Sequence, residues 1–368
     1  MSLQRPHTVG VLGAAGTIAP AIIRDLAESE EVAELRLLDL DAGRAQAVAD
    51  EHGQGKAQVQ AVDARSVDDL AERLAGSDVL VNTASYRINL EAMAACLTAG
   101  CHYVDLGGLY WMTGRQLELH HDFEQSDLLA LLGVGSSPGK TNLMARHGVE
   151  QLPAGEPIAS IDIAAAGRDP VPASDGRLRP PYSIQTLIDE LTLAPVVLRD
   201  GEPHEIEPLT AAGTVDYGDP IGEAEVIYTL HSELATFGQS FGCREASFQL
   251  SLAPALLTRL KELSGASPEE IAAAQRDAAP ASAETVSIHL ITIRTQAGRT
   301  IQVRAETHPH FGLGGSIVST ATPAAAAVRL LARGRIPARG VLPPERCIEP
   351  TDMFAELEAR GCRFSVTG

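Results

Sequence analysis

The stretch from His7 to Asp39, HTVGVLGAAGTIAPAIIRDLAESEEVAELRLLD, constrains this chain more than any other. An apolar run, Val9 to Leu12, enters a glycine turn at Gly13-Ala14-Ala15-Gly16. Ile18, Ala21, Ile22, Asp25 and Leu26 then recur at helical spacing. A second apolar run, Leu35 to Leu38, stops at Asp39, 26 residues after Gly13. Strand, glycine turn, helix, strand and acid follow in the order that a dinucleotide-binding βαβ unit requires. Gly13 permits the tight turn, and Gly16 leaves room for a pyrophosphate against the backbone. Ala19 is small enough for close packing of helix on strand. The amides of Thr17 and Ile18 open the helix and face the phosphates. The spelling is GxxGxxA, with Ala15 where the usual fingerprint has its second glycine.

Strands and helices continue to alternate at short spacing up to about residue 135, which predicts a parallel sheet covered on both faces. Ligands of such sheets bind beyond the carboxyl ends of the strands. Those ends supply Gly13, Asp39, Asp63, the stretch Asn82-Thr83-Ala84-Ser85-Tyr86, Asp105 to Gly108, and Gly133 to Gly139. Asp39 is expected to accept from the adenosine ribose. Asp63 lies beside the adenine or is a solvated strand-end acid. Asn82, Thr83 and Ala84 line the cofactor. Gly139, Thr141 and Asn142 open a second anion-friendly helix start after Gly135-Ser136-Ser137-Pro138. That stretch is not a Walker loop, since Gly135 and Gly139 are four apart rather than five.

After about residue 150 the pattern becomes strand-rich and mostly antiparallel, and a second domain is expected over 136–319. Asp200-Gly201 predicts a hairpin turn and Gln296 to Arg299 another. Arg168 to Pro181 reads as a loop, and Ser267 as the start of a capping box. From 320 to 368 the first style returns. There Thr322 is expected to cap a helix with Pro323 at its first position, in a tail that packs on the first domain. The expected class is therefore α/β: a Rossmann-type parallel-sheet domain (1–135), a second domain (136–319) inserted before a C-terminal segment (320–368) that returns to the first.

With 29 basic and 48 acidic residues the net charge is −19, which argues against nucleic acid or an anionic membrane as partner. No apolar stretch in the sequence approaches bilayer length, and MSLQRPHT is not a signal region. Five cysteines without a CxxC indicate reduced thiols, no metal site and a cytoplasmic protein.

Four blocks resemble the saccharopine dehydrogenase-like superfamily, most of all its saccharopine reductase and lysine 6-dehydrogenase members. They are VLGAAGTIA (11–19), DVLVNTASYRINLEAMAACLTAGCHYVDLGG (78–108), LLGVGSSPGKTNLMA (131–145), and STATPAAAAVRLLARG with GVLPPE (319–334 and 340–345). The resemblance implies a Rossmann domain completed by the C-terminal segment, with a mixed α/β domain for substrate binding and dimerisation. It implies a homodimer and reversible hydride transfer between a nicotinamide and a C–N bond of an amino-acid-like substrate. Where the family often carries Asp-Arg after the second strand, Asp39 is followed here by Leu40. A lone acid repels a 2′-phosphate, so NAD is favoured; NADP stays possible because Arg44 can swing in.

Hydride transfer needs a group that handles one proton. Tyr86 and Asp105 follow neighbouring strands and are expected to flank the nicotinamide, Asp105 receiving a substrate ammonium. His231, with Glu233 nearby, is the candidate proton carrier of the second domain. Arg168, Arg179 and Arg244 compete to hold a substrate carboxylate, and Arg244 is the candidate carried forward. Ser137 precedes Pro-Gly where saccharopine reductases tend to have Asp, and Ser251 to Pro254 lacks an arginine that lysine 6-dehydrogenases carry. These departures keep a second reading open, a catalytically silent nucleotide-binding sensor or partner subunit.

Overall fold

The computed structural model describes residues 5–170, 177–279 and 281–368. The chain divides into two compact units, Met1–Leu143 with Thr320–Leu357, and Met144–Ser319 with Glu358–Gly368.

In the first unit the chain forms β1 (His7–Leu12), β2 (Val32–Asp39), β3 (Ala57–Ala61), β4 (Val79–Asn82), β5 (His102–Asp105) and β6 (Leu129–Leu131). They pair in the order β6-β5-β4-β1-β2-β3, and a seventh strand, Gly340–Leu342, adds to β6. Every pairing is parallel. Helices cover both faces, so the strands are near-continuously apolar: Val9, Val11, Leu35, Leu37, Val79 and Val81 are fully buried. The register matters for function. Leu12 lies level with Leu38 on one side and Asn82 on the other, and Asn82 is level with Asp105. Four carboxyl ends therefore finish side by side, and the order of connections reverses between β1 and β4. A crevice at such a reversal is where ligands of open α/β sheets bind.

The C-terminal segment completes this unit through charge as well as through its strand. Arg329 is almost wholly buried, with its guanidinium 2.9 Å from Asp25 and 2.6 Å from Glu356. Asp25 sits in the helix of the glycine-turn unit, Ala19–Ala27, and Glu356 in the helix Pro350–Glu358.

The second unit contains β7 (Ile158–Arg168), β8 (Val196–Arg199), β9 (Glu202–Glu205), β10 (Ala211–Asp216), β11 (Glu223–Tyr228), β12 (Glu245–Ser251), β13 (Val286–Thr295) and β14 (Thr300–Thr307). The sheet runs β10-β11-β12-β7-β13-β14, with β8 paired to β12 and β9 to β8. It is mixed, because β12 and β7 are parallel while the other pairings are antiparallel. Asp200 and Gly201 both have positive φ, as the hairpin turn between β8 and β9 requires. The capping box at Ser267 is present. The loop expected from Arg168 to Pro181 lies partly outside the described residues.

Four expectations change. The tail does not stay with the first unit: Cys362–Thr367 pairs antiparallel with β14 and becomes the last strand of the second sheet. The first unit runs past residue 135, to Leu143. Thr322 is not a cap, because the helix begins at Gly315 and Pro323 lies inside it. The earlier start is held by the Gly315 amide, which donates to the Thr285 carbonyl (2.7 Å). The small residues Ala321 to Ala327 around Pro323 are buried, and tight packing offsets the backbone bond that a proline removes. The expectation that no apolar stretch approaches bilayer length is corrected by this same helix, which at 18 residues is long and apolar enough by composition, yet is 89% buried within the protein, as a core helix is.

Replacing Arg329 by Met leaves Asp25 buried without its cation. Breaking one side of such a pair costs about 3–5 kcal/mol. Urea unfolding of Arg329→Met should show a loss of that size, and a loss below about 1 kcal/mol would contradict the role given to the pair.

Candidate functional site

The glycine turn is built by close approach. Gly13 has a φ of +77°, and a Cβ there would lie 2.7 Å from the Ala84 amide nitrogen. The turn closes on itself, the Gly16 amide donating to the Gly13 carbonyl at 2.9 Å. Thr83 locks β4 to it: its hydroxyl donates to the carbonyls of Leu12 (2.7 Å) and Gly13 (3.1 Å). The helix that follows starts at Ala19 with Pro20 in its first turn, and Ile18 gives it no side-chain cap. An uncapped helix N-terminus beside a glycine turn suits a phosphate. Gly16 and Thr17 are exposed at this point.

At the end of β2, the Asp39 carboxylate accepts from the amides of Ala15 and Asp41, both at 2.9 Å. Each oxygen keeps a lone pair for a further donor. Arg44 donates to the Ala15 carbonyl at 3.1 Å, which places a guanidinium on the same turn. Asp63, beyond β3, is partly exposed and clasped by Arg65, whose side-chain and backbone hydrogen bonds hold its carboxyl down at about 2. The structure thus brings Gly13, Gly16, Asp39, Thr83 and Ala84 together around one turn, with Thr17 and Ile18 at the adjoining helix start.

Asp105 differs from the expected open carboxylate. It is fully buried, and its oxygens accept from the Gly107 amide (3.0 Å), the Gly133 amide (2.6 Å), Gln116 (2.7 Å) and Asn89 (3.2 Å). Burial raises its pKa against the pull of these donors. With its lone pairs taken from within the unit, it acts as a structural hub rather than an ammonium receptor. The network continues outward, because Asn82 donates to Asn89 (2.9 Å) and to the Tyr103 hydroxyl (3.1 Å), and the Asn82 carbonyl oxygen accepts from the Ala84 amide (3.1 Å). Asn82 is therefore a buried support for the turn. Tyr86 is half-buried in the short turn after β4, its ring 4.8 Å from the Arg87 guanidinium.

The second helix start is also satisfied from within. The Gly139 amide donates to the Asn142 side chain (2.8 Å), which in turn donates to Glu345 (2.8 Å). Gly139 is required for packing, since a Cβ would lie 2.5 Å from Gly135 backbone atoms. Thr141 is fully buried. Self-capping replaces the anion site expected at Gly139 and Asn142.

In the second unit Arg244 is exposed and paired with Asp200 in the hairpin turn, so its fork is engaged at the surface rather than held ready for a substrate carboxylate. His231 is buried, stacked on Phe248 of β12 with centroids 3.4 Å apart. Glu190 lies 3.7 Å from its Nε2 and Glu233 lies 3.4 Å from its Nδ1. Neither ring nitrogen has a hydrogen-bond partner. Glu190 also accepts from the Tyr182 hydroxyl at 2.5 Å. Sequence reasoning missed Glu190, Tyr182, Asn89 and Gln116. A signal existed for Glu190, which falls three residues after Leu187 beside the apolar stripe Ile184, Leu187, Ile188, Leu191.

Residues 9–131 match the family model of the saccharopine dehydrogenase NADP binding domain. The carboxyaminopropylagmatine dehydrogenase of Synechocystis sp. is 24% identical over 268 residues, which span 69% of this chain and 65% of that protein. The apo structure of saccharopine dehydrogenase (L-Glu forming) from Saccharomyces cerevisiae superposes with a TM-score of 0.71 at 15% identity, covering 98% of this chain and 100% of that one. The domain that binds the cofactor in that family coincides with the strand ends described above. Residues 9–131 thus resemble a saccharopine dehydrogenase NADP binding domain, carried in a chain whose fold is that of the solved saccharopine dehydrogenase.

Proposed function

We propose that this chain is an NAD(P)-dependent oxidoreductase of the saccharopine dehydrogenase type, working on a C–N bond of an amino-acid-like substrate. The observation that carries the reading is the Gly13–Gly16 turn pressed against Ala84 beside an uncapped helix start. Gly13 lets the turn close against Ala84, and the uncapped helix start beside it is where a pyrophosphate can sit. The relative named carboxyaminopropylagmatine dehydrogenase supports an amino compound as substrate. A bound nicotinamide supplies the hydride acceptor or donor. The residues that would hold it are Gly13, Gly16, Thr17 and Ile18 at the phosphates and Asp39 at the ribose. Their part is to bind and orient, which for two reacting centres is worth several kcal/mol of barrier. His231 is the proton carrier of this reading. Assembly as a homodimer and residence in the cytoplasm belong to the same proposal.

For the cofactor we infer NAD. The Asp39 carboxylate is held by two amides at the strand end, and Leu40, 71% exposed, offers no charge to a 2′-phosphate. The contact of Arg44 with the same turn favours NADP as the second reading, in line with the description of the matching family.

Gly13→Val puts a branched side chain into the Ala84 backbone at positive φ. NADH binding measured by calorimetry should fall at least a hundredfold, and an unchanged affinity would remove the turn from the site. A chain that binds NADH yet oxidises or reduces no amino or imino compound in an absorbance screen would fit the silent sensor instead.

Asp39→Ala should weaken NADH about tenfold or more and leave NADPH less affected, since a charged hydrogen bond is worth about 1.5–3 kcal/mol. If wild type prefers NADPH and Arg44→Ala abolishes that preference, the NADP reading replaces the NAD one.

A further inference from the structure

The cluster around the buried His231 places opposite charges beside both ring nitrogens, neither of which has a hydrogen-bond partner. Glu190 comes from the helix Ile184–Thr192, and Glu233 from the start of the helix Leu234–Phe241. They approach opposite nitrogens of one ring, at 3.7 and 3.4 Å. Phe248 closes one face of the ring, and the side chains of His231, Glu190 and Glu233 are at most 5% exposed. Tyr182 and Asp189 face Glu190 in turn.

We propose that Glu190 is a positioning residue which, together with Glu233, holds His231 as an imidazolium inside the second unit, making the Tyr182–Glu190–His231 chain a proton store. Its use in C–N chemistry rests on the function proposed above; the ion pairing does not. An amine oxidised to an imine passes the C–H electron pair to the nicotinamide and sheds one proton from nitrogen. The reverse direction returns both.

The electrostatics agree with the geometry. Burial alone would push His231 down, but the charges of Glu190 and Glu233 outweigh it and leave the ring raised above its ordinary value. Burial pushes Glu190 up to about 7, against the pull of His231 and of the Tyr182 hydroxyl. The two groups lie close enough to titrate as a pair. Both shifts mean that the folded state binds protons more tightly than the unfolded chain. The stability they contribute is present at acid pH and declines as pH rises from the ordinary glutamate range through neutrality.

The test follows the ring of His231 by carbon-13 NMR in the full-length protein, across pH. Its midpoint in wild type is expected above 6.5. In Glu190→Gln it should fall by at least about one pH unit, the effect of removing one opposite charge within about 4–6 Å. In Tyr182→Phe, which removes only the hydroxyl bonded to Glu190, it should fall by less. The decline of thermal stability with rising pH should flatten in Glu190→Gln. An unmoved midpoint in folded Glu190→Gln overturns the proposal. If that variant does not fold, an unmoved midpoint in Tyr182→Phe overturns it. NADH affinity measured on the same samples keeps the two readings apart: a wild type that binds no NADH defeats the proposed function and leaves the ring titration standing.

Discussion

The carboxylate of Asp105 is the group on which the nucleotide site depends. A buried carboxylate costs several kcal/mol unless its lone pairs are used. Here two backbone amides from the loops after β5 and β6 and two side chains from neighbouring helices use them. The same donors are thereby fixed in place. Asn89 positions Asn82, Asn82 holds the Ala84 amide, and Ala84 is the backbone against which Gly13 is pressed. A charge at the end of one strand thus sets the shape of a turn two strands away. That also explains why Asp105 has no capacity left for a substrate.

The nucleotide half was legible because its signals are local. Glycine spacing, the apolar run of β1 and the acid after β2 all lie within one βαβ unit, and the structure places them around one turn. What failed was non-local. Asp105 and Asn142 look like site residues in sequence, and only the fold shows Gly133 and Glu345 occupying them. Pro323 looks like a helix start, and only contact with Thr285 moves the start to Gly315. Glu190 sits on an otherwise apolar helix face, and its meaning depends on His231, 41 residues later.

Three buried charges show three ways of meeting the same cost. Arg329 is met by carboxylates with good donor geometry, and Asp105 by four donors. Both are closed systems with nothing left to give. His231 has charge around it but no hydrogen bond to either nitrogen. Buried polar atoms in native proteins are usually satisfied, and exceptions concentrate where a group must change its protonation or its partner. The difference in satisfaction, rather than burial itself, separates the chemical candidate from the structural ones.

The paired strands at the end of the chain bear on how it is made. Gly340–Leu342 completes one sheet by pairing 211 positions back, and Cys362–Thr367 completes the other by pairing 55 to 65 positions back. Closing such separations is slow because chain entropy opposes it before any contact forms. Until these two strands are made, β6 and β14 each present an unpaired edge. Strand edges left open in this way are sites for pairing with the wrong chain. Truncation near residue 340 should therefore harm solubility in both units at once.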